Sequence, residues 1–144
     1  MHHVAIMKKS WQLIPKVISG EKTIESRWYM AKRVPWNMVK KGDMVFFKNA
    51  GESITVKARV ARVLQFDNLS PKRVRELLNQ YGNADGIAKK DSSTYFELFK
   101  DKKYCILIFL EKVTILEPFA IHKKGFGAMS AWLTVKDIRD ITLE

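Results

Sequence analysis

Cysteine is almost missing from this sequence. Cys105 is the single one in 144 residues, which excludes an intrachain disulfide and any cysteine-built metal cluster. Its neighbours Tyr104 and Ile106 are apolar and mark it as an inert, interior thiol. Long apolar runs are missing too: stretches such as Ile106 to Leu110 fall far short of the roughly 20 residues that cross a bilayer. No signal-peptide core opens the chain, so the expectation is a soluble, cytoplasmic protein without membrane contact. Histidine is scarce, and His2, His3 and His122 have no carboxylates spaced around them as a metal site needs. No metal and no cofactor is expected, and His2 and His3 read as a frayed terminus. Also absent are a Gly-x-Ser-x-Gly elbow, a Gly-x-x-x-x-Gly-Lys loop, a His-Glu-x-x-His pair, internal repeats and low-complexity segments.

Negative charge is in short supply. Twenty-six Lys and Arg stand against fifteen Asp and Glu, a net charge of +11. The excess is lopsided: residues 1–66 hold thirteen basic and four acidic side chains, residues 67–144 thirteen and eleven. Such a field suits a polyanionic partner, because Lys and Arg that neutralise phosphates release condensed counterions. A hydrophobic content of 47% and a length suited to one well-filled core give one domain over residues 1–144.

The patterning is mixed. Short strands are expected at His3–Ile6, Thr23–Trp28, Met44–Phe47, Ile54–Phe66 and Tyr104–Leu110, the last continuing toward Pro118. Ile54–Phe66 changes phase near Ala61 and Arg62, which implies a bulge, and bent strands help small sheets close. Helices are expected at Pro15–Ser19, ended by Gly20, at Ser70-Pro71 onward to Tyr81, and at Thr94–Phe99. Val34–Val39 reads as a helical turn, and the tail as a last helical turn capped at Thr134. In the second strand, alternation puts Thr23, Glu25 and Arg27 on one face at about 7 Å intervals.

The chemistry concentrates in Gly20-Glu21-Lys22-Thr23-Ile24-Glu25-Ser26-Arg27, followed by Trp28-Tyr29, Trp36, the Gly42-Asp43 turn and a strand ending at Lys48. Lys22 and Arg27 can bind a phosphate while Glu25 accepts from a base amino group or orients Arg27. Lys22 serves as nucleophile or base if desolvation and Arg27 disfavour its charge. The plain alternative is a surface ion pair between Glu25 and Arg27. Unstacked bases bind on aromatic faces; Trp11 and Trp28 lean toward the core, whereas Trp36, among Lys32, Arg33, Lys40 and Lys41, is the better cleft candidate.

These residues resemble the signature of the ASCH family: a glycine, a lysine two residues on, an acidic or hydroxyl residue and an arginine, then a Gly-Asp turn and an apolar strand. The likeness extends through Val56–Val63, the helix at Ser70 and the strand with Glu111-Lys112-Val113, about residues 3–119. The resemblance implies an α+β, PUA-like small mixed β-barrel with short helices at its mouth, and RNA or a nucleotide-like ligand as partner. One branch of the family removes the acetyl group of N4-acetylcytidine with a lysine, a threonine and a distant glutamate; another is linked to cleavage of single-stranded RNA. Carried over, that lysine falls on Lys22 and the motif's arginine on Arg27. Glu25 stands where the branch has threonine, and Glu76 is only near the position of the glutamate. Two readings result. In the first, a basic cleft binds RNA or a nucleotide through Lys22, Glu25, Arg27, Trp36, Lys40, Lys41 and Lys48. In the second, Lys22 and Glu25 are catalytic in a hydrolase acting on a modified nucleoside or in a ribonuclease. A domain that meets an acidic protein is a third, weaker possibility.

Overall fold

The computed structural model describes residues 1–143. Six strands, β1 (His2–Met7), β2 (Ile24–Tyr29), β3 (Met44–Asn49), β4 (Ile54–Phe66), β5 (Tyr104–Phe119) and β6 (Trp132–Val135), form one sheet in the order β2-β5-β4-β3-β1-β6. β1 and β3 run parallel and the other pairs antiparallel. Three helices, α1 (Leu13–Ser19), α2 (Pro71–Tyr81) and α3 (Ser92–Phe99), complete a mixed α+β architecture. None of the described helices is long and apolar enough to cross a membrane.

β5 organises the molecule, because its first half is apolar on both faces and sits between β2 and β4. Ile106 and Ile108 point into a core shared with Val45, Phe47, Val56 and Val60. Cys105 and Leu107 point to the other side, under the α2 residues Val74, Leu77 and Leu78. Each such side chain contributes about 1.5–3 kcal/mol on burial. The register shift between Val60 and Arg62 falls where the sequence changes phase, and it bends β4 so that the sheet curls into a half-barrel. α2 starts as expected, with the Ser70 hydroxyl accepting from the Arg73 N–H and Pro71 in the first turn.

Several expectations need correction. His2 and His3 are not frayed: they lie in β1, and the His3 side chain is fully buried between β3 and β6. Thr134 caps no helix; it lies inside β6, and the final turn, Ile138–Ile141, is capped by Asp137. The Val34–Val39 stretch makes successive hydrogen-bonded turns instead of a helix, with Trp36 N–H donating to Arg33 O and Met38 N–H to Pro35 O. α1 starts two residues earlier than Pro15, which occupies its first turn, where the missing N–H costs nothing.

Candidate functional site

The two edges of the curled sheet approach each other where β2 faces β1 and β6, and Arg27 spans the seam. Its guanidinium donates to Ala131 O at 3.2 Å and Ile6 O at 3.4 Å across the gap, and to Glu25 on its own strand at 2.8 and 3.2 Å. The guanidinium carbon also sits 5.2 Å from the Trp132 ring centroid. Glu25 and Arg27 are two residues apart on a strand and share a face, as the alternation requires. They are no surface pair: Glu25 is 3% exposed.

Lys22 lies deeper. It is 2% exposed, and its ammonium donates to Ile24 O, Asp85 O and Asp85 Oδ1, each at 2.7 Å, with Glu25 Oε1 at 3.2 Å. An ammonium has three N–H groups, so none remains for a ligand. Burial alone lowers the pKa of Lys22, but the Asp85 and Glu25 carboxylates outweigh it and hold the amine protonated, above its ordinary value. Glu25 is likewise penalised by burial, yet Lys22 and Arg27 pull its carboxyl below the usual range. Asp85 goes the other way: burial pushes its carboxyl up, Glu25 adds to the push, and Lys22 offsets only part of it.

Asp85 comes from the loop after α2. Asp85 N–H donates to Tyr81 O and Ile87 N–H to Gly82 O, which continues the helical turn. Ala84 O then accepts from both Thr23 and Ile24 at 2.7 and 3.0 Å, which staples the loop to the start of β2. Gly86 is required here: its φ is +83°, and a Cβ would meet the Lys22 side chain at 3.1 Å. The Ser26 hydroxyl donates to Asp85 Oδ2 at 2.5 Å and accepts from the Trp28 indole N–H at 3.0 Å.

Above this floor opens a hollow of about 270 Å³. Its walls are Trp11, Trp28, Tyr29, Tyr95 and Phe99, with Ile6, Met7, Lys8 and Ala131 at the rim. Trp28 stacks on Phe99 with centroids 4.8 Å apart, and Trp11 meets the edge of Tyr95 at 5.4 Å. Trp11 is therefore no core residue; it is 36% exposed.

The residues singled out in the sequence are divided. Lys22, Glu25 and Arg27 converge on the hollow, whereas Trp36, Lys40, Lys41 and Lys48 do not line it. Trp36 packs half-buried against the core with its ring 5.2 Å from Tyr104, Lys40 and Lys41 are exposed at the turn into β3, and Lys48 is buried on β3. The floor charges, Lys22 and Arg27 against Glu25 and Asp85, balance, so the hollow itself is not strongly positive. Glu76 is exposed on α2 and takes no part. Asp85, Ser26, Tyr95 and Phe99 were not foreseen. Asp85 acts 63 residues from Lys22, and the only local signal is an Asp-Gly step, which reads as turn chemistry.

No family model matches this chain, and a search of the curated proteins finds no match. Solved structures do match. The crystal structure of ASCH from Zymomonas mobilis is 16% identical and covers 99% of this chain and 96% of that one, with a TM-score of 0.67. A single-residue variant of that protein gives 0.68 at 16% identity over 96% and 93%. A protein from Enterococcus faecalis V583 gives 0.52 at 12% identity over 80% and 76%. At these identities the likeness speaks for the fold: the chain has the PUA-like fold of ASCH proteins.

Proposed function

From that fold and the hollow at its seam, we propose that the protein binds RNA, or a free nucleotide, by taking one unstacked base into the aromatic hollow. The observation that carries the reading is the pairing of five aromatic walls with a buried, internally neutralised polar floor in about 270 Å³, just under the roughly 300 Å³ at which the usual range of small-ligand sites begins. Stacking on such walls supplies about 1–3 kcal/mol per base and tolerates any base. The floor supplies selectivity: the Lys22 protons are all engaged, while carboxylate oxygens of Glu25 and Asp85 keep lone pairs beyond those the protein uses. A base that presents an amino group fits this demand.

Equilibrium binding of single-stranded RNA and of the four ribonucleosides tests the reading. Binding of amino-bearing bases, with Glu25→Gln changing base preference more than overall affinity, is the expected outcome. No binding of any of them removes it.

A hydrolase is the second reading, and one observation favours it. Asp85, a buried carboxyl pushed upward, touches a protonated amine at 2.7 Å and is fit to carry a proton. In this version Lys22 is not the nucleophile, because its amine is held protonated and has no free lone pair. Incubation with N4-acetylcytidine and with single-stranded RNA, beside an Asp85→Asn control, decides it: product lost in the variant is expected, and no product with the native chain ends the reading.

A further inference from the structure

β2 lies at one edge of the sheet, so only one of its two sides is paired with a strand. In an antiparallel ladder, the residues of a hydrogen-bonded pair exchange both N–H···O bonds with the neighbouring strand, and the residues between them turn both groups the other way. At the ends of β2, Thr23 O accepts from Leu110 N–H and Tyr29 O from Lys103 N–H. Those residues therefore face β5, as do Glu25 opposite Ile108 and Arg27 opposite Ile106. Ile24, Ser26 and Trp28, which alternate with them, turn their main chain to the open side. Ile24 is closed there: its N–H donates to Ala84 O at 3.0 Å, and its C=O accepts from the Lys22 ammonium at 2.7 Å.

Ser26 and Trp28 stay open. Their side chains are engaged, the Ser26 hydroxyl donating to Asp85 and the Trp28 indole to Ser26, but among the described residues no group bonds their main chain on that side. Both residues line the hollow. Next to Lys22 and its two carboxylates, the wall thus carries alternating unpaired N–H and C=O groups over two residues. That is shorter than the roughly three residues of the shortest strands, so the edge suits a planar ring better than an added strand. A ligand can bond these groups without displacing any protein partner.

We propose that the main chain of β2 reads the base. Ser26 C=O accepts one proton of an exocyclic amino group, and an N–H beside it, of Ser26 or of Trp28, donates to the ring nitrogen next to that amino group. The second amino proton is left for a carboxylate oxygen of Glu25 or Asp85. This rests on the base-binding reading above and narrows its amino-bearing bases to adenine and cytosine, in which an unprotonated ring nitrogen adjoins the amino group; on the corresponding edge of guanine that nitrogen carries a proton. The groups taken are those that pair in a duplex, so the base must be unpaired.

Amide hydrogen exchange followed by NMR on the native protein, free and saturated with adenosine or cytidine 5′-monophosphate, tests the proposal. In the free protein the Ser26 amide is expected to exchange fast beside slow Glu25 and Arg27 amides, and ligand is expected to slow the Ser26 or the Trp28 amide by about tenfold or more. Analogues of the two nucleotides in which C–H replaces the ring nitrogen, and guanosine 5′-monophosphate, should bind about tenfold more weakly, the share of one buried hydrogen bond. Binding that leaves both amides unchanged, or analogues or guanosine monophosphate that bind as tightly, overturns the main-chain readout while the base-binding reading stands. If none of the nucleotides binds, the base-binding reading itself has failed and the readout falls with it.

Discussion

A lysine ammonium leaves water at a cost of several kcal/mol unless anions and carbonyls replace its hydration. Lys22 shows how this chain arranges that: two carboxylates and two carbonyls surround it. Lys22→Met therefore leaves the buried Asp85 carboxylate without its cation, while Glu25 keeps Arg27, and is expected to destabilise the protein by about 3–5 kcal/mol in urea titration. Adding Asp85→Asn should recover part of the loss, since the removed partner no longer matters to it. Gly86→Ala is expected to cost about 1–2 kcal/mol through its left-handed backbone alone, and more where the Lys22 stem is displaced. His3 makes a different prediction. Trp132 donates its indole N–H to His3 Nδ1 at 3.2 Å, and His3 Nε2 faces Asp43 at 2.8 Å, so the neutral ring fits. Burial lowers its pKa below 6.5, more than Asp43 raises it. The unfolded chain then takes up the proton first as pH falls, so this share of stability is full above about pH 6.5 and is lost as pH falls through the folded value. A falling urea midpoint between pH 7 and 5, flattened in His3→Gln, is the expected result. The residue-scale site was half legible. Glu25 and Arg27 share a face because strand alternation fixes it, and Lys22 two residues after Gly20 was legible from its motif. Asp85 was not, because only the folded loop brings it to Lys22.

At the scale of elements, the hollow depends on the Lys9–Trp11 turn and on α3, the short helix that carries Tyr95 and Phe99. Neither has a periodic pattern that announces a binding wall, and α3 has no fully buried residue. The strands were easier to foresee, since period-two apolar spacing and the phase change near Ala61 report directly on burial and bending. β1 and β6 were harder: a polar-looking His2-His3 start and a four-residue strand carry too little pattern to outweigh turn signals. The tryptophans separate the two versions of the site. Trp11→Ala should weaken base binding by about 1–3 kcal/mol and barely move the melting temperature, because Trp11 is exposed. Trp36→Ala should leave binding unchanged and lower the melting temperature, because Trp36 packs on the core.

Across the whole molecule, the charge excess and the hollow have separate tasks. The floor of the hollow is balanced, so the net charge of +11 acts from the rim and the outer surface as a general attraction for a phosphate backbone. Affinity for single-stranded RNA should accordingly fall steeply as salt rises, whereas affinity for an uncharged nucleoside should hardly respond. A flat salt response for RNA contradicts that division. The most direct measurement of the base-binding claim uses the four tryptophan indole N–H signals as internal reporters during titration with the four ribonucleoside 5′-monophosphates. Trp11 and Trp28 line the hollow and Trp36 does not. The account predicts saturable shifts at Trp11 and Trp28 with Trp36 unmoved. Shifts confined to Trp36, or none at Trp11 and Trp28 at millimolar ligand, would contradict it.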